Sequence, residues 1–368
     1  MAETSLLEKR EAFEAGLLRG DYRTLTDVIL DGTGRGIQRL LRRARPAPYW
    51  ISATVIALLM LAVASLVSLL LGEEAPFSGR NLLMGILGVA LGLVSLMIFK
   101  AYVARFLASL RSKILDSLIS ADSLGEWQGW LNWLCNPRAQ FLFSLVYGLA
   151  LGAYITRMWS ETTGSFIGYG PALLDCLVAF VWGLPMYFLL VFLFLPARMG
   201  RSEYHLYRAD PSSSEIIAHF SGLLKGLVYL YAVVAAGSMV FIAYAGFLLP
   251  SMVVLSILVA WLPIIVLFVS GQAALAKVVR RAKWQTLNEI QAQVEQIQVR
   301  EDLAGKETME GILRLMDYHE RVKATKSSTL DLRAGLGFLN SLLLPLLGFV
   351  LGNIESLKGI LAALFAGR

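Results

Sequence analysis

Seven segments of this chain run for about 18 residues or more with almost no charge, long enough to cross a hydrocarbon layer of about 30 Å as helices. They span approximately Trp50–Leu71, Asn81–Phe99, Ala139–Thr156, Ala172–Leu195, Gly226–Leu249, Ser251–Ala276 and Ala334–Gly352. Their one Asp, Glu, Lys, Arg or His is Asp175, close to the outer end of the fourth. In lipid, each backbone polar group must be satisfied inside its own segment, so these stretches are predicted to be helices. Composition agrees: 57% of the residues are hydrophobic and 16% charged, against about 45–50% and about 25% in soluble domains. The predicted fold class is all-α: a polytopic helical membrane protein with about seven transmembrane helices and a cytoplasmic helical hairpin.

Charge gives the orientation. The segments before span one, between two and three, between four and five, and between six and seven hold 29 of the 33 Lys and Arg. The opposite side keeps Arg80, Arg157, Lys358 and Arg368. Because Lys and Arg are retained on the cytoplasmic side, the N-terminus is predicted inside and the C-terminus outside. The net charge of +6 is thus read as topology and as affinity for an anionic inner leaflet, not for nucleic acid. External loops are short, which suggests a bacterial cytoplasmic (inner) membrane. The polar first 49 residues predict no cleavable signal peptide.

The domain reading follows. Residues 1–49 form a cytoplasmic amphipathic arm, and 50–270 hold helices one to six with cytoplasmic helical loops at 100–138 and 196–225. Residues 271–333 form a cytoplasmic helical hairpin or short coiled coil, 334–352 the seventh span, and 353–368 an external interfacial amphipathic helix.

In the arm, Ser5-Leu-Leu-Glu8 fits a capping box. Arg35, Arg39, Arg42, Arg43 and Arg45, interleaved with apolar residues, suit a helix lying on anionic headgroups. Trp127, Trp130 and Trp133 recur at helical spacing and are expected at the membrane surface, where indole rings prefer to sit. In the hairpin, Leu287, Ile290, Val294 and Ile297 form a narrow apolar stripe on a polar helix, the pattern of a packing seam. That seam fits pairing within one chain or between chains.

Within the spans, Gly88 and Gly92, Gly148 and Gly152, and Gly348 and Gly352 are spaced to line one helix face and let backbones approach. Pro185, Pro263 and Pro345 each remove a backbone donor in mid-span. With Asn340 and Ser341 they are the candidate pore or hinge residues. Absence of buried carboxylate, His or Lys argues against proton coupling. Cys135 and Cys176 are predicted on opposite sides of the membrane and unpaired.

No nucleotide-binding glycine loop, His-Glu-x-x-His or Gly-x-Ser-x-Gly occurs. No catalytic residue, cofactor or metal is therefore predicted, and the chain is expected not to be an enzyme. The reading that fits best is a homo-oligomeric, channel-like or pore-like protein gated or assembled through its cytoplasmic helices. A membrane scaffold or signalling protein docking a cytoplasmic partner is the alternative, and a facilitative transporter the third.

Overall fold

A computed structural model describes residues 2–42, 45, 47–73, 80–164, 166–245, 250–300, 306–326, 340–345 and 347. Among them the chain is helical, with no strand beyond an isolated bridge between Leu118 and Tyr204. Six helices among the described residues are long and apolar enough to cross a membrane. The predicted seventh span and the external helix after it fall largely outside the described residues.

The arm forms α1 (Ala2–Arg19) and α2 (Leu25–Leu40). Helix α1 already begins at Ala2, so Ser5 lies within it and not at the N-cap position its sequence suggested. The arm's capping box is instead at α2: Thr24 accepts from the Asp27 N–H, and Asp27 accepts from the Thr24 N–H. The first span is α3 (Tyr49–Leu70). The second is α4 (Arg80–Ser109), which runs through a π-helical turn at Leu110–Ile114 into the short α5 (Leu115–Ser117). Next come α6 (Ala121–Leu134) and α7 (Pro137–Thr163). Asn136 caps α7 by accepting from the N–H groups of Arg138 and Ala139. Proline at the first helical position loses no hydrogen bond there.

Helix α8 (Tyr169–Leu193) starts under a second carboxylate: Glu73 accepts from the Tyr169 and Gly170 N–H groups. The bond from the Tyr169 N–H above all, with that from Gly170, outweighs burial and holds the Glu73 carboxyl below its usual value. The remaining helices are α9 (Leu195–Arg201), α10 (Glu215–Ala245), α11 (Pro250–Arg300) and α12 (Lys306–Ala324). At 1.5 Å per residue, the 51 residues of α11 extend about 75 Å, more than twice a hydrocarbon core. A span and a stalk are therefore one uninterrupted rod.

The tightest pairing is α7 on α8. A Cβ at Gly148 would lie 2.9 Å from the Phe180 Cα, at Gly152 2.5 Å from the Cys176 Cα, and at Gly183 2.8 Å from the Ser144 Cα. Three glycines thus bring two antiparallel backbones together with no side chain between them. The largest core cluster gathers α4, α6, α8, α9, α10 and α11 around Phe106, Trp127, Trp130, Phe192 and Phe220. A second joins α2, α3, α4 and α8 through Leu30, Ala53, Met60 and Leu93.

Candidate functional site

Contacts gather at the end of the bundle where α3 and α7 begin and where α4 descends past Lys100; the basic segments lie there, and we call it the basic end. Helix α2 lies across it. Its Gly34 rests on Ala47 and Ser52 at the start of α3. The Leu25 N–H donates to Gln140 Oε1 in the first turn of α7 at 2.6 Å, while Gln140 Nε2 donates to the Leu134 carbonyl. Lys100 of α4 pairs with Asp27 at 2.7 Å and sits 3.4 Å over the Tyr49 ring. Burial pushes Asp27 up, but the paired Lys100 ammonium and hydrogen bonds from Thr24 outweigh it and hold the carboxyl below its usual value. Burial, with the Asp27 charge, raises the neighbouring Cys135 thiol to about 12, leaving it an inert, protonated thiol.

Beneath α2 the basic end is filled by aromatic rings. Trp127 stacks on Phe220, Phe106 meets Trp127, Trp130 and Phe192 at 5.4–6.4 Å, and Tyr204 stands edge-on to Phe220. Trp127 and Trp130 are core residues, fully buried, and not the membrane-surface side chains expected from their spacing. Their periodicity gave one apolar face, and α8, α9 and α10 cover that face. Trp133 alone keeps an exposed ring, tilted against Phe194. Helix α1 is fastened to the same end: Phe13 inserts into the core, flanked by the ion pairs Arg10–Asp116 and Glu14–Arg111.

Beyond the bundle, α12 returns along the distal half of α11. Leu287 and Ile290 of α11 pack with Leu315, Tyr318 and Val322 of α12, and Lys283 Nζ donates to the Lys323 and Thr325 carbonyls at the end of α12. Val294 is also buried and Ile297 partly so. The described residues leave the other side of α12 open. Met309, Leu313 and Met316 form an i, i+4, i+7 stripe that is 47–62% exposed, flanked by the local ion pairs Glu310–Arg314 and Asp317–Arg321.

The described part of the segment around Pro345 is helical at 340–345. Leu342 and Leu344 pack on the main core, Ser341 and Pro345 are buried, and Asn340 is exposed beside Leu343 and Leu347. Pro185 is buried in α8, and Pro263 is partly buried in α11. Gly88 and Gly92 are buried against α8, where Trp182 Nε1 donates to the Gly88 carbonyl. Gly348, Gly352 and Arg43 lie outside the described residues. Arg35, Arg39, Arg42 and Arg45 are exposed. The two cysteines are free, and among the described residues no group of His, Cys, Asp or Glu could hold a metal.

Sequence reasoning missed the polar lock on α2. Thr24-x-x-Asp27 was a findable signal; Gln140 and Lys100, far along the chain, were not. Six apolar helices and these buried contacts define an α-helical, multi-pass integral membrane protein. Compared with known proteins, the chain matches no family model, no curated protein and no solved structure.

Proposed function

We propose that the chain is the protomer of a homo-oligomeric, channel-like membrane assembly held together through the stalk of α11 and α12, with no catalysis of its own. The observation that carries this reading is the exposed Met309-Leu313-Met316 stripe, held away from the bundle on a rigid helix. A side of α12 already covered by α11 needs no second apolar stripe; a partner does. The segment at Asn340 supports the same reading. An amide exposed beside Leu343 and Leu347 is costly against lipid but accommodated at a subunit junction or a wet path.

The rings of Phe106, Trp127, Trp130, Phe192 and Phe220 fill the basic end of each protomer, so a path would run between protomers. That plug also favours a second reading, a scaffold with no pore. Mass measurement in mild detergent tests the first claim: a discrete oligomer is expected for the native chain, and a smaller species for Leu313→Glu/Met316→Glu. A monodisperse native monomer overturns it. Conductance in planar bilayers then separates the readings, since an intact oligomer that passes no ions is the scaffold.

A further inference from the structure

One charged surface is left over from the assembly. Helix α2 is two-faced. Its Thr26, Leu30 and Gly34 are buried against the bundle. At 100° per residue, Arg35 and Arg39 stand about 140° and 180° away from Leu30, and Arg42 and Arg45 continue the basic run toward α3. None of these four arginines is ion-paired to a carboxylate among the described residues. Asp31, one turn before Arg35, meets it only through a backbone carbonyl. Asp27, the other acid of the helix, is spent inward on Lys100.

We propose that the outer face of α2, continued through Arg42 and Arg45 to Trp50, binds the phosphates of anionic phospholipid headgroups. Position selects lipid over other anions. Helix α2 touches the first turns of α3 and α7 and the basic end of α4, so it lies level with the ends of three spans. Leu40 is 83% exposed and Trp50, the second residue of the first span, 61%. That combination suits the boundary between acyl chains and headgroups, where indole and arginine are both favoured. Four guanidinium groups also repel one another until phosphate is placed among them. The inner lock of Thr24, Asp27, Lys100 and Gln140 keeps the arginines aimed, because it fixes the helix without using them.

The test uses the full chain, stripped of lipid in a neutral detergent, with phosphatidylglycerol, phosphatidylcholine or inorganic phosphate added. Thermal unfolding and native mass spectrometry read binding. Phosphatidylglycerol is expected to raise the unfolding temperature and be retained; the other two are not. In R35Q/R39Q/R42Q/R45Q the apparent affinity for phosphatidylglycerol falls by about fivefold for each arginine removed, and the corresponding lysine variant keeps most of it. Equal responses to the two lipids, reproduction of the effect by inorganic phosphate, or undiminished binding by the glutamine variant each overturn the proposal. Should that variant fail to fold, the native chain decides: binding that does not weaken between about 0.1 M and 1 M salt is not electrostatic, and the proposal falls.

Discussion

The α7–α8 pair and the α11–α12 pair are both returns of the chain on itself, built by opposite means. In the first, Gly148, Gly152 and Gly183 bring main chain against main chain. In the second, a few side chains around Leu287, Ile290 and Val322 make the contact. Where the glycines lie, the α7 and α8 backbones touch and leave no room for a larger side chain, while ring pairs such as Phe141–Phe180 and Phe143–Tyr187 pack beside them. Side-chain packing on a stalk commits one stripe of α12 and leaves Met309, Leu313 and Met316 facing out. The α7–α8 pair closes its glycine face on itself, whereas α12 keeps an apolar stripe that the described residues of this chain leave exposed.

The comparison breaks most sharply at Gly152. In Gly152→Leu the new side chain meets the Cys176 backbone, which cannot rotate away, and the two helices must part. Loss of the folded, monodisperse species in detergent chromatography is expected. Gly125→Leu is the control: nothing lies within 4 Å of a Cβ there, and a better helix former stabilises an exposed turn by about 0.5–1 kcal/mol. Equal behaviour of the two variants would remove the backbone-contact account of α7 and α8.

Next in size is the aromatic plug. Trp130→Ala empties a site enclosed by Phe106, Trp127 and Phe192 and is expected to cost about 3–5 kcal/mol in detergent unfolding. Trp133→Ala, with its exposed ring, is expected to cost much less. A loss for Trp130→Ala as small as that for Trp133→Ala would return Trp130 to a surface role.

These rings also mark how far the sequence could be read. Six spans were legible because absence of charge over about 20 residues has one physical reading in a chain this apolar. The glycines at 148 and 152 were legible as a packing face, since a spacing of four residues stays on one side of a helix. Their partners at Phe180 and Cys176 were not, because periodicity shows which face is buried and never what buries it. The same limit misplaced Trp127 and Trp130: an apolar helical face under a membrane and one under three other helices have the same spacing. The stripe at Leu287 and Ile290 was visible, but whether α12 would fill it depended on α12 carrying two stripes, at Leu315 and Val322 and at Met309, Leu313 and Met316.

A smaller effect tests the lock that holds α2 on the bundle. Asp27→Asn removes charge from a partly buried pair with Lys100 and weakens the capping box. The expected loss is about 2 kcal/mol. Because the folded carboxyl titrates below its unfolded value near 3.8, its contribution is fully present above about pH 5. It is lost as pH falls through the lower folded value. Unfolding curves of native and variant protein should therefore differ at neutral pH and converge once the pH has fallen below the folded value. A gap that persists in acid would mean Asp27 acts through shape and not charge.

The smallest expected change in stability bears hardest on the open side of the stalk. Leu313→Glu/Met316→Glu replaces exposed apolar groups with exposed charges, leaving the Leu287, Ile290 and Val322 contact untouched. Unfolding of the separated protomer should shift by no more than about 0.5 kcal/mol, while Val322→Ala, on the covered side, loses about 1–3 kcal/mol of packing at the seam. Two helix stripes that differ only in what covers them then respond in opposite ways: the covered one governs whether the stalk folds, and the bare one governs whether stalks associate. If Leu313→Glu/Met316→Glu unfolds the stalk by circular dichroism as readily as Val322→Ala does, the outer stripe belongs to the protomer's own fold, and the assembly role assigned to it is wrong.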